Sequence, residues 1–205
     1  MATFEQSVFI NCPFDHPDYD PIFDAIVFAI HDCGYVPRCT KEIDDGGDQR
    51  AQKLYDLIKQ SKFGIHDISF TELDRASNLP RFNMPYELGL FMGCREIGTK
   101  AQKQKRTLIL DKENYRYQKF LSDISGQDPK AHEMKPEKAI KCVREWLNVS
   151  PDGKLTPGGQ KIVNRYKEFT SVLPEMSNQF DIDHVNLTFI DYGELVYAWQ
   201  NANPL

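Results

Sequence analysis

Glu87 is the residue around which chemistry can be assembled. It lies in Asn83-Met84-Pro85-Tyr86-Glu87-Leu88-Gly89-Leu90-Phe91-Met92-Gly93. The spacing of Leu88, Phe91 and Met92 predicts a helix, with Asn83 as its cap, Pro85 in its first turn and Gly93 at its end. On that reading Glu87 falls in the first turn, where the helix macrodipole favours an anion. A capping box wants its acid three residues past the cap, and from Asn83 that place is taken by Tyr86, so capping alone does not account for Glu87. An ionised carboxylate beside the anomeric carbon of a sugar can steady, or covalently capture, the positive charge that appears as a leaving group departs.

Such a group needs a cleft, and the surrounding elements predict one. Val8 to Cys12 is a short apolar strand, followed by helical spacing of Ile22, Ala25, Ile26, Ala29, Ile30 and Cys33 up to Gly34. Tyr35 to Cys39 is a second strand, placed at an edge by Pro37. After a loop at Asp44-Asp45-Gly46-Gly47, Asp48 caps a helix with Ala51, Leu54, Leu57 and Ile58 on one face. Phe63 to Ile68 is a third strand, Ser69 to Phe82 a long connection, and Thr107 to Leu110 a fourth strand. The polar run Lys100 to Arg106 is expected to be a solvated turn. Alternating strands and helices predict an α/β fold, flavodoxin-like, with a parallel sheet in 2-1-3-4 order flanked by helices. In that order ligands bind outside the carboxyl ends of strands one and three. The residues delivered there are Asn11, Phe14 and Asp15 from strand one, Arg38 from strand two, and Asp67 and Ser69 from strand three. Arg81, Asn83, Tyr86 and Glu87 follow at the start of the next helix.

Beyond Asp111 the alternation gives way to helices over Pro136 to Leu147, Gln160 to Leu173 and Phe189 to Trp199. These divide the chain into an α/β domain over 1–125 and a helical C-terminal extension over 126–205, which packs on the sheet or mediates assembly. With 205 residues and a net charge of −5, the chain has room for a real core and no general affinity for nucleic acid backbones. Its longest purely apolar run, Ala25 to Ile30, is too short to span a bilayer, and no basic segment precedes Phe9 as a secretory signal would require. Five cysteines without C-x-x-C spacing point to a reducing cytoplasm, and the scattered histidines give no zinc spacing. A P-loop, a dinucleotide glycine fingerprint, a Cys-x5-Arg loop and a calcium loop are all missing, so no metal or bound cofactor is expected.

The segment Asn83 to Gly93 follows a strand ending in Asp67 and precedes a basic turn and an apolar strand. It resembles the N-x-x-x-E-L-G-x-F-x-G region of bacterial TIR domains, above all those of anti-phage effectors in cyclic-nucleotide defence systems. The Glu87-Leu88-Gly89 element is also similar to the nucleophile helix of nucleoside 2-deoxyribosyltransferases, which share the flavodoxin-like architecture. The resemblance covers residues 7 to 111, and its specific part is the Glu87 region. It implies Glu87 as the catalytic carboxylate, with Asp67 and Asn11 holding a ribose. Two departures stand out: strand one is VFINCPFD rather than a Ser- or Tyr-bearing start, and no Gly-Thr pair precedes the glutamate.

The implied function is an NAD glycohydrolase, an immune effector activated by homo-oligomerisation, a partner or a second messenger, with NAD as substrate rather than cofactor. One ionised glutamate suits that substrate, because nicotinamide leaves a cationic pyridinium as a neutral molecule and needs no acid. Phe14, Tyr19, Phe82 and Tyr86 are candidates to stack on a base, and Arg38, Arg75 and Arg81 to pair with a pyrophosphate. The Asp44 to Gly47 loop is a candidate flap. The alternatives are a nucleoside or nucleotide N-glycosidase or deoxyribosyltransferase, and a receiver-like signalling module with Asp67 as phosphoryl acceptor.

Overall fold

The strands β1 (Ser7–Asn11) and β3 (Phe63–Asp67) are buried along their whole length, as strands must be when both faces of a sheet are covered. The computed structural model describes residues 2–14, 16–42, 49–73, 78–124 and 126–205. Between and after those strands come α1 (Asp20–Asp32), β2 (Val36–Arg38), α2 (Arg50–Gln60), α3 (Asn83–Ile97) and β4 (Arg106–Asp111). The chain ends with β5 (Lys130–Ala131), α4 (Pro136–Trp146), α5 (Gly159–Asn178) and α6 (Phe189–Ala202). The sheet is parallel throughout in the order β2-β1-β3-β4-β5. This is the flavodoxin-like α/β fold, with β2 at the edge as Pro37 predicts.

Alternation along the strands sorts the core into two sides. Phe9 of β1 faces Leu54, Leu57, Ile58 and Phe91 of α2 and α3. Ile68 and Ile109 meet Met84 and Leu88 on the same side. Val8, Ile10, Phe63, Ile65, Leu108 and Leu110 point the other way, into a core shared with α1 and α4 to α6. Helix α1 is apolar nearly all round because α5 and α6 cover its outer face. Phe28 illustrates this, with its ring 5.5 Å from Tyr166, 5.4 Å from Phe169 and 5.8 Å from Trp199. Arg165 of α5 binds both oxygens of Asp32 at 3.0 Å and the carbonyl of Asn203 at 2.8 Å, tying the last helices to α1.

Several expectations change. The sheet does not stop at 125: β5 extends it, and α4 covers it from beyond that boundary. Helix α3 passes Gly93 and ends at Ile97, while Phe82 rather than Asn83 occupies its cap position, without a side-chain cap bond. Helix α5 continues past Leu173 to Asn178. Lys105 is not solvated. It is buried, with its Nζ donating to the carbonyls of Ile58 and Ser61 and lying 4.2 Å from the Phe91 ring centroid. Those contacts replace the water that its sequence neighbours keep.

Gly64 of β3 is set by this packing, because a Cβ there would lie 2.7 Å from both His66 Nε2 and the Phe91 ring. Gly64→Ala should therefore overpack the sheet–α3 interface and destabilise the fold by about 1–3 kcal/mol. Urea unfolding reads this as a lower midpoint at unchanged slope; an unchanged midpoint would contradict the close approach.

Candidate active site

The start of α3 is fixed to the carboxyl end of β1 by one side chain. Asn11 is buried, and its Nδ2 donates to the Met84 carbonyl at 2.8 Å and to His66 Nδ1 at 3.0 Å. Because His66 Nδ1 accepts, the ring carries its proton on Nε2, which has no partner among the described residues. The ring instead packs edge-on against Phe9 and Phe91, with centroids 5.9 and 5.0 Å away. Burial, and then the nearby Lys105 charge, lower the His66 pKa to about 3, so the ring is neutral. On the other side of the mouth, Arg116 anchors the connection that follows β3. It donates to Asp111 at 2.8 Å, to the Ile68 carbonyl, and to Thr71 and Glu72 at 3.2 Å.

With Phe82 at the cap, Glu87 lies just past the first turn of α3, which contains no acid. Its side chain is half-buried, and no hydrogen bond reaches its carboxylate from the described residues. Burial pushes its pKa up to about 7, against the pull of Arg50 at the start of α2. The expectation that the helix start would keep Glu87 ionised is thus reversed. The macrodipole is worth about 0.3–1 kcal/mol and fades beyond the first turn, so desolvation wins. The Glu87 charge also acts, after burial and alongside Asp67, to raise the Cys12 thiol, in keeping with the Asn11–Met84 bond that holds the start of α3 at the end of β1.

Phe14 is half-buried on the α1 side, packed on the core shared with α1 and α4 to α6, 5.4 Å from Phe23 and 5.2 Å from the Lys41 ammonium. Tyr86 is exposed, with its hydroxyl 3.3 Å from that of Tyr55. Phe82, Arg81 and Asn83 are exposed beside it.

Asp67 and Ser69 take a different place from the one expected. Asn11 pairs in register with His66, so Asn11 and His66 share the α3 side while Asp67 turns to the opposite face. There Asp67 is completely buried and accepts from Tyr19 Oη at 2.7 Å, from His132 Nε2 at 2.9 Å and from both the backbone N–H and the hydroxyl of Ser69. Burial alone would raise its pKa, but the bonds from His132, Ser69 and Tyr19 outweigh that and hold it below the ordinary carboxylate value.

Ser69, His132 and Asp67 contain the residue types of a hydrolytic triad, yet all three are 0% exposed. His132 Nδ1 accepts the Met134 N–H at 3.1 Å, so Nε2 carries the proton and cannot serve as a base toward Ser69. Glu133 and Met134 adopt left-handed φ of 53° and 54° to make that turn, roughly 1–2 kcal/mol of strain per residue held by the network. Asp67, Ser69 and Asn11 are therefore structural in this arrangement, and neither Asp67 nor Tyr19 is presented to a ligand. Arg38 is likewise engaged, its Nε donating to both Glu42 carboxylate oxygens at 2.8 and 2.9 Å. Asp15, Arg75 and the Asp44 to Gly47 flap lie outside the described residues.

The sequence reading missed Arg50 and His132, which act across the fold, and Asp24 of α1. Burial and then Asp20 push Asp24 up to about 7 against the Lys41 charge, making it a second proton-holding carboxyl. Its only sequence signal was a polar position on an apolar helix. Among the described residues no group of three or more His, Cys, Asp or Glu side chains could hold a metal ion, and no helix is long and apolar enough to cross a membrane. Four cavities bounded by described residues lie away from Glu87. No protein-family model, curated protein or solved structure matches the chain.

A carboxyl raised in the folded state makes folding less favourable as pH climbs from its unfolded value, about 4.3, through about 7. Glu87→Gln should therefore be more stable than the parent at pH 8 and equal to it below about pH 4. Thermal unfolding across that range checks the sign, and a pH-independent difference would contradict it.

Proposed function

We propose that this chain cleaves the N-glycosidic bond between nicotinamide and ribose in NAD, with Glu87 as the catalytic carboxylate, as an assembly-activated TIR-like immune effector of the bacterial cytoplasm. The observation that carries the reading is Glu87 itself: a half-buried carboxylate past the start of α3, near the end of β1, free of hydrogen bonds from the described residues. A carboxylate without such bonds can direct its lone pairs at an anomeric carbon. The resemblance of Asn83 to Gly93 to the TIR glutamate region supports the same assignment.

Neutral nicotinamide departs from the pyridinium with the bonding electrons. The ionised Glu87 steadies the resulting oxocarbenium ion or captures C1′, and water then completes hydrolysis. Approach of the cationic pyridinium ring to the carboxylate lowers the Glu87 pKa, so that the ionised form prevails in the complex. Tyr86 and Phe82 are the exposed aromatic groups available to flank the base, and Arg81 is available for a phosphate.

The raised pKa also favours a second reading. A carboxyl that keeps its proton near neutrality can protonate a departing neutral base, as an N-glycosidase or deoxyribosyltransferase acting on nucleosides requires. The receiver-like alternative is disfavoured, since both oxygens of Asp67 are engaged and the residue is buried.

The two enzymatic readings differ in the sign of their pH dependence. With NAD well below saturation, where the free enzyme's carboxyl governs the rate, nicotinamide release at high protein concentration under crowding should rise with pH and level off above about 7. Glu87→Ala should fold normally and lose at least about a hundredfold in rate. Release from Glu87→Ala equal to the parent would refute the assignment. Activity on nucleosides that falls as pH rises would select the second reading.

A further inference from the structure

A groove of about 970 Å³ runs beside the edge strand β2, and its walls include Val36, Pro37, Phe189, Ile190, His31 and Glu194. A second cavity of about 360 Å³ adjoins it, because His31 and Tyr197 line both. The groove is separate from Glu87 and does not depend on the reading given to that residue.

Its polar groups lean toward one sign. Arg38 lines the groove, but its charge is already balanced by Glu42, to which its Nε and Nη2 donate, and Nη2 also reaches Gln60. Glu194 is exposed on α6 and has no ion pair or hydrogen bond among the described residues. His31, in the last turn of α1, has no hydrogen-bond partner for its ring among the described residues. Burial lowers its pKa to about 4, so it stands as a neutral imidazole with a lone pair to offer. The carboxyl end of α1 adds its negative dipole to that side.

Gly193 opens the way to this ring. It lies inside α6, where glycine costs about 0.8–1 kcal/mol relative to alanine, and even a Cβ there would stand 3.8 Å from His31 Nε2. A longer side chain would lie across the imidazole. Apolar and aromatic walls, a free carboxylate, an unpaired imidazole and the Tyr197 hydroxyl together fit a flat molecule rich in donors.

We infer that the groove between β2 and α6 binds a small planar organic cation, with Glu194 and His31 accepting its N–H groups over the window left by Gly193. Benzamidine and benzamide test this with the full chain, since they share a shape and differ in charge. Calorimetry, with the His31 ring resonances followed by NMR, should show saturable benzamidine binding that perturbs His31 and benzamide binding at least about tenfold weaker. Glu194→Gln, at an exposed position, and Gly193→Leu, with the better helix former, should each weaken benzamidine at least about tenfold. Glu87→Ala should leave it unchanged. The proposal is overturned by no saturable binding below about 10 mM, by equal binding of benzamide, or by binding that survives both groove substitutions.

Discussion

Everything at the mouth of this sheet is referred to the hydrogen bond between the Asn11 amide and the Met84 carbonyl. A helix that merely packs on a sheet can slide or tilt by a fraction of a turn, since apolar contact is non-directional. A buried amide that must find its acceptor removes that freedom, because leaving it unpaired would cost about 1–3 kcal/mol. His66 takes the other half of the same Nδ2 group, so the adjacent strand shares in the constraint. Glu87 lies three residues beyond the clamped carbonyl and inherits its position from it.

The layered arrangement explains why the buried polar groups are so uneven in character. On the α3 side a neutral histidine is sealed among phenylalanines, with an N–H that finds no partner among the described residues. On the α1 side a carboxylate is satisfied four times over by Tyr19, Ser69 and His132. Charge survives burial only where donors surround it, and elsewhere the group becomes neutral. Glu87 sits between these extremes, desolvated enough to hold its proton near neutrality and, among the described residues, free of the bonds that would fix it in one state.

The strands, the helix carrying Glu87 and the edge position of β2 were legible because each rests on local pattern: period-two or helical apolar spacing, and a proline that cannot donate. What stayed hidden depends on register. Asn11 and Asp67 both stand at strand ends, and nothing local to either says that Asn11 aligns with His66 and so faces away from Asp67. Lys105 hides in a polar run, since only the assembled sheet supplies the carbonyls and ring that bury it. His132 lies 65 residues from its carboxylate in a stretch with no motif, and the Arg50 charge acts on Glu87 only once α2 and α3 share one side of the sheet.

The seat of Asp67 has a consequence for how this molecule can be divided. One of its donors, His132, comes from beyond the expected boundary, on the segment that also forms β5. A fragment ending before it would bury an anion stripped of that donor, besides leaving an edge of β4 uncovered. The sheet with its strand ends and the helical tail are in that sense one folding unit, and duplicating or grafting the first without the second would transplant an unbalanced charge into the heart of its new host.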